Sequence, residues 1–198
     1  MISLSVKTNF PDVQRKLDAL RRDIGDKAAA MALNKVVDKG RTEMKRAITD
    51  EFNIPSAEVN AALRIRRASA KGYNLVAVLE AFNNRKGRSL NLIHFVERKV
   101  TLAEARRRLK RGTLQQLGFK IKKTGGIKTI PGAFIANNGR TVFIREGKDR
   151  LPIKPLQVIN ITQMFNTRRI NQRVVAKIRQ EFPVEFERAM RVVLERFR

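Results

Sequence analysis

Apolar residues recur every three or four positions near both ends of the chain and lose that spacing in between, and this change of period constrains the fold most. Val13, Leu17, Leu20 and Ile24 follow helical spacing, and Leu33, Val37, Gly40, Met44, Ala47 and Ile48 form a second stripe. Near the other end Ile170, Val174, Ile178, Phe182, Phe186, Met190, Val193 and Phe197 do the same. Such stripes put apolar side chains on one helical face. The middle instead alternates, or runs apolar in short bursts bounded by Gly, Asn and Pro, as strands and turns do. The expectation is an α+β fold: N-terminal helices packed on a mainly antiparallel β-sheet, then a long C-terminal helical region.

Local signals refine this outline. Ile2, Leu4 and Val6 alternate as a short strand. Asn9-Phe10-Pro11-Asp12 reads as a helix start, with Pro in the first turn and an acid near the positive end of the dipole. Gly25-Asp26 is expected to stop this helix and cap a second one over about residues 27–52, which ends before Pro55. Ser56 is placed as the cap of a short helix carrying Val59 and Leu63. Residues 64–69 and 73–82 read as strands around Ala70-Lys71-Gly72, and residues 75–79, apolar on both faces, are assigned to the centre of the sheet. Residues 95–100 and 118–123 are further strand candidates. Residues 127–136 and 141–146 pair across Asn137-Asn138-Gly139, a strong turn signal. Residues 151–156 carry two prolines and are expected to be extended without regular structure. Pro183 interrupts the last stripe in phase, so a kink or two abutting helices are expected there.

The 198 residues are taken as one domain, 1–198, with a basic arm at about 83–123 that is partly flexible in isolation. Within that arm, residues 101–113 read equally well as a helical turn or two or as a hairpin that orders on assembly.

The formal net charge is +25, unevenly spread: +2 over residues 1–60, +15 over 61–135 and +8 over 136–198. Such a centre attracts polyanions, whether nucleic acid, an acidic protein face or an anionic membrane. The cations cluster as Arg64, Arg66 and Arg67; Arg85, Lys86 and Arg88; Arg106, Arg107, Arg108, Lys110 and Arg111; and Lys120, Lys122 and Lys123. These suit phosphate contacts without base specificity, or ion pairs between subunits. With no Trp and one Tyr, a base-stacking module is disfavoured.

Catalytic chemistry has little footing. No cysteine is present, which removes disulfides, thiolate metal sites and Cys nucleophiles. His94 is the only histidine; alone it builds no multi-His site, and a packed or hydrogen-bonded ring is expected. Glu80, within an apolar strand, is expected to pair with an arginine. Asp50 and Glu51 are read as solvated at a helix end, and Glu104, Glu181, Glu185 and Glu187 as helix-surface charges. Gly125-Gly126 beside Lys122, Lys123 and Lys128 is read as a basic hairpin tip, since no helix pattern follows to complete a phosphate loop. No nucleotide-binding fingerprint or nucleophile elbow occurs. The expectation is therefore no enzyme, no catalytic residue, no cofactor, no metal and no small-molecule substrate. The start has no apolar run fit for a signal peptide, and no stretch suits a membrane helix. Assembly in a cytoplasm without a membrane partner is expected.

Four blocks occur in order: Pro131-Gly132-Ala133-Phe134-Ile135-Ala136, Thr141-Val142-Phe143-Ile144-Arg145, Arg150-Leu151-Pro152-Ile153 and Gln163-Met164-Phe165. In that order they resemble the minor tail protein Z family of lambda-like phages and prophages, and related tail-completion proteins of long-tailed phages. The stretch Val158-Ile159-Asn160-Ile161-Thr162 departs from the family, which often has a Gly-Pro-Ser-Val-Pro-like segment there. The resemblance implies a virion component near the head–tail junction that contacts other tail and neck proteins as a ring-forming homo-oligomer. It implies no catalytic residues; transient contact with genomic DNA is the further expectation. Bottom-up, Pro131 and Gly132 suit a turn entering a strand, and Phe134 and Phe143 a shared core. Arg145 and Arg150 suit a brace for the segment with Leu151 and Pro152, or a subunit contact. The runner-up reading is a non-sequence-specific nucleic-acid-binding protein using the basic centre. A third, an enzyme, needs Glu80 or His94 in a pocket beside another reactive group.

Overall fold

The computed structural model describes residues 10–70, 75–82, 89–97 and 117–196, with 10–21 described by their backbone alone. The fold is mixed α+β. In chain order come α1 (Phe10–Glu51), α2 (Ser56–Ala62), β1 (Leu63–Arg66), β2 (Val78–Ala81) and a 3-10 helix (Leu92–Phe95). Then follow β3 (Gly118–Phe119), β4 (Lys128–Thr129), β5 (Phe134–Ala136), β6 (Thr141–Arg145), β7 (Ile153–Pro155), α3 (Ile161–Phe165) and α4 (Arg168–Glu195). The expected class holds, with helices towards both ends and small antiparallel sheets between. The expected strand at 2–7, most of the loop at 83–89 and the segment 101–113 lie outside the described residues. The chain divides into two compact units. Residues 1–41, 65–79 and 175–198 form unit one, and residues 42–64 and 80–174 form unit two.

Unit one is built on a small-residue seam. Ala28 and Ala32 of α1 meet Ala189 and Val193 of α4, flanked by Ile24, Phe182, Phe186 and Met190. Alanines at that seam let two helix backbones approach, and the phenylalanines close its sides, Phe182 stacked on Phe186 at 6.0 Å. Asn34 secures the segment after β1. Its side chain donates to the Ala68 carbonyl at 2.9 Å and accepts from the Ala68 amide at 2.8 Å, so both backbone groups are satisfied.

Gly25-Asp26 does not end the first helix: α1 runs unbroken over 42 residues. An interior Gly costs about 1 kcal/mol against Ala, far less than a Pro. The Asp23–Lys27 ion pair, 2.6 Å and one turn apart, spans the site, and the alanine-rich turns beyond are buried. Likewise α4 continues through Pro183, and the chain breaks earlier, at Asn166 and Thr167. Pro183 is exposed, so the carbonyl it leaves without a donor is open to hydration.

Unit two holds the larger core. Met44, Ala47 and Ile48 bury the second stripe of α1 there, and Phe95, Phe119, Val142 and Met164 are each at most 2% exposed. Burying a Phe that completely stabilises by roughly 2–3 kcal/mol. Strands β3 and β4 pair antiparallel, and Gly118 is required there, because a Cβ would lie 2.8 Å from Ile127 Cγ2. Strands β5, β6 and β7 form an antiparallel sheet in which Phe134 faces Phe143 and Phe143 faces Pro155. The expected turn is present, with Asn137, Asn138 and Gly139 at φ of 56°, 53° and 79°.

Other expectations are corrected. Residues 127–136 are not one strand: Pro131-Gly132, with Gly132 at φ 78°, separates β4 from β5. Residues 151–156 do contain regular structure, because β7 is an edge strand, where Pro155 displaces no ladder donor. Of the strand expected at 95–100, Phe95 ends a 3-10 helix (Leu92–Phe95), Val96 bridges Phe119 antiparallel, and residues 98–100 lie outside the described residues. Asn91 caps the 3-10 helix, its Oδ1 accepting from the Ile93 amide at 3.0 Å. Ser56 is the first residue of α2, and Pro55 holds the cap position without a side-chain bond. Strand β2 is not central; it pairs with β1 in a two-stranded sheet, and Val76 before it is 59% exposed.

Candidate functional site

The helices sort their charges into pairs. In unit one, Lys39 of α1 reaches both Glu181 and Glu185 of α4 at 2.6 Å, Lys177 adds a bond to Glu181 at 2.7 Å, and Arg188 one to Glu185 at 2.9 Å. Glu181 and Glu185 are therefore not free surface charges. Hydrogen bonds from Lys177, then Lys39, hold Glu181 down at about 2, and Lys39 holds Glu185 below the usual carboxylate range. Lys39 is raised in turn by Glu181 and then Glu185. In unit two, Arg173 bonds Glu43 at 2.6 Å and Asp50 at 3.0 Å, while Glu51 takes Lys122 at 3.2 Å and Arg169 at 3.4 Å. Asp50 and Glu51 are thus ion-paired rather than merely solvated.

The sheets of unit two differ. Residues 117–157 carry nine basic residues and two acidic ones. Of the nine, only Lys122 has an acidic partner among the described residues; Lys120, Lys123, Lys128, Arg140, Arg145, Lys148, Arg150 and Lys154 have none. All but Lys120 are exposed. Lys123 lies on the hairpin tip, as expected for the turn at Gly125-Gly126, and Lys122 also sits over the Phe52 ring at 5.7 Å. Arg64, on β1, sits over the Phe82 ring, its guanidinium carbon 3.6 Å from the centroid. Arg66 is exposed at the end of β1, and Arg67 is bonded to both oxygens of Asp38 at 3.1 Å. Arg85, Lys86, Arg88, Arg106, Arg107, Arg108, Lys110 and Arg111 lie outside the described residues.

The four-block motif is scattered in role. Met164 is fully buried on α3. Pro131 and Gly132 form an exposed turn, and Arg150, Leu151 and Pro152 are exposed. Phe134 and Phe143 do meet, stacked at 6.1 Å, but both are half-buried on an open sheet face, with the Arg145 guanidinium 5.0 Å from the Phe134 ring.

That face runs into a cavity of about 620 Å³ inside unit two, whose walls include Ala62, Phe82, Leu90, Phe143, Pro155 and Ile161. Its polar feature is a pair the sequence did not reveal. His94 Nδ1 lies 2.8 Å from Glu58 Oε1, and both side chains line the cavity. Helix α2 presents Glu58, and the 3-10 helix presents His94, two elements separated by 36 residues in sequence. The expectation of a hydrogen-bonded His94 holds. Ser89 and Thr141 line the same cavity, but among the described residues the His94 ring bonds to Glu58 and to neither hydroxyl. Glu80 lies half-buried on β2, away from the residues lining this cavity. Among the described residues no three His, Asp or Glu side chains gather into a metal-binding group, and no helix is long and apolar enough to cross a membrane.

One comparison decides the family. The family described as Prophage minor tail protein Z (GPZ) matches residues 12–198, nearly the whole chain. The chain belongs to that family. As a phage minor tail protein it is a component of the virion tail and works in contact with other tail proteins. No curated protein and no solved structure matches the chain. The match takes in the four blocks at residues 131–165 and both helical ends, so family membership covers both units.

Proposed function

We propose that this minor tail protein completes the tail at its head-proximal end, joining tail to head through protein–protein contacts as a ring of identical subunits and without catalysis. The observation that carries the reading is the family match over residues 12–198. The charge distribution supports it. Helix cations such as Lys39 and Arg173 meet acids on the helices, while of the cations across β3 to β7 only Lys122 meets an acid among the described residues. The rest suit acidic neighbours in an assembly or the genome passing through it. Arg64, Arg66, Arg67, Lys120, Lys122 and Lys123 are the described members of the predicted contact set, with Arg67 and Lys122 already meeting Asp38 and Glu51, and Arg145 and Arg150 join them.

The Glu58–His94 pair meets half of what an enzyme requires, an ionisable pair in a cavity, but among the described residues no hydroxyl is bonded to the imidazole as an activated nucleophile requires. We read the pair as holding α2 against the 3-10 helix.

The test is genetic and structural together. Particles from a strain lacking the gene should contain full heads and tails that join yet fail to infect, and the purified protein should form rings visible by negative stain. Missing tails would point to an earlier role. A strictly monomeric protein absent from purified tails would overturn the proposal. The second reading, a non-sequence-specific nucleic-acid-binding protein, is favoured by the unpaired cations alone. It requires steeply salt-dependent binding to random DNA together with no affinity for tail proteins.

A further inference from the structure

Two arginines frame the open apolar face of unit two. At one end Arg64 lies 3.6 Å from the centre of the Phe82 ring, and at the other Arg145 lies 5.0 Å from that of Phe134. Between them, Phe82 and Phe143 both line the cavity, and Phe143 stacks on Phe134. Antiparallel register puts Phe134, Phe143 and Pro155 on one side of the sheet, so this is a continuous row. Phe82 is 41% exposed even with Arg64 over one face, an unusual cost for a large aromatic. Both guanidiniums are exposed and neither has an acidic partner among the described residues.

We propose that this arginine-framed groove is a docking site for an extended segment of another tail or neck protein, one with apolar side chains flanked by carboxylates. The cavity walls take the apolar side chains. Each guanidinium, positioned over a ring and without an acid among the described residues, can grip a carboxylate through two bonds. Aromatic and arginine anchors at a desolvated pocket are where binding energy concentrates.

The choice of partner follows from charge and ring access. A second copy of this chain brings a net charge of +25 to a surface already rich in cations. A single-stranded nucleic acid needs free ring faces for its bases, but Arg64 already covers a face of Phe82. An acidic, apolar protein segment matches the rim and the walls together.

This proposal rests on the assembly reading, and its test keeps the two apart. Fluorescent peptides of about 12 residues, long enough to lie extended across such a face, are titrated into the full-length protein. One carries a Leu-Pro-Phe core between aspartates, one the same core between lysines, and one the aspartates without the core. A single-stranded oligonucleotide serves as competitor. The aspartate-flanked core should bind about tenfold tighter than either control, and Arg64→Glu or Arg145→Glu should each weaken it about tenfold. Both positions are exposed, so circular dichroism should be unchanged and melting should move only by the small loss of the ring contacts; Ala62→Trp, which fills the cavity, should block the core by a separate route.

Equal binding of the core-free acidic peptide, or binding indifferent to both arginine substitutions, would overturn the groove. Oligonucleotide binding lost through the same substitutions would also overturn it, by giving the face to nucleic acid. In particles, a wild-type protein absent from tails overturns the assembly reading and the groove with it. An Arg64→Glu, Arg145→Glu double variant that enters tails and restores infectivity like wild type overturns the groove alone.

Discussion

The α1–α4 ion pairs of unit one and the β-sheets of unit two use the same residue types in opposite ways. Several helix cations are spent internally: Lys39 meets two glutamates, and those glutamates also take Lys177 and Arg188. Across β3 to β7 eight of nine cations have no acid to meet among the described residues. A net charge of +25 is therefore not one property spread over a surface. Some cations join helix to helix, and others have no acid partner among the described residues.

The largest effect that sharpens this contrast comes from the core beneath the sheets. Phe95 is fully buried, so Phe95→Ala should cost about 3–5 kcal/mol in chemical denaturation, from lost burial plus the cavity left behind. A much smaller loss would mean that unit two is not organised around this ring. Next comes Asn91, whose side chain accepts from the Val142 amide at 2.8 Å and donates to the Val142 carbonyl at 3.2 Å, besides capping the 3-10 helix. Asn91→Ala strands the Val142 and Ile93 amides, while the Val142 carbonyl keeps the Leu156 amide, and should cost about 2–3 kcal/mol, read from the same denaturation curves.

The helix pairs predict a pH signature. Glu181 and Glu185 have lowered folded pKa values, so the stability they contribute is complete above the ordinary carboxylate value. It should be lost as pH falls from about 4.5 towards 2, the range set by the Glu181 shift. Lys39, raised from 10.5, contributes stability that is complete below that value and lost as pH rises through its higher folded pKa. Thermal melts of Glu181→Gln, Glu185→Gln should show a flatter acid limb than wild type; an unchanged limb would remove the ion pairs as a cause. The smallest effect on stability should come from the sheet cations. Lys148→Gln, Arg150→Gln and Lys154→Gln should each shift stability by less than about 0.5 kcal/mol, since none has a partner to lose. If these substitutions destabilised as much as loss of the helix pairs, the contrast between the two regions would fail.

Much of the outline was legible because it depends on local chemistry. The stripes of α1 and α4, the left-handed Asn137-Asn138-Gly139 turn and the break at Pro131-Gly132 all follow from side chains acting on their own backbone. The errors came where tertiary context outweighs a local cost. Gly25 is carried through α1 by its neighbours, Pro183 is tolerated on an exposed stretch of α4, and Pro155 is accommodated at a sheet edge. The site was less legible still. Lys39 and Glu185 are 146 residues apart, and Glu58 and His94 are 36 apart, so no spacing pattern joins them. Phe134 and Phe143 were read as core because strand alternation marks an inward face; that face opens into a cavity that only the fold defines.

The most direct measurement of the account is microscopy of particles made with and without this chain. With it, the head-proximal end of the tail should carry a ring of density that its subunits fill. Without it, heads and tails should still join while that ring is missing and infectivity is lost. Tails that are absent altogether, or particles whose head–tail junction is the same with and without the chain, would contradict the account.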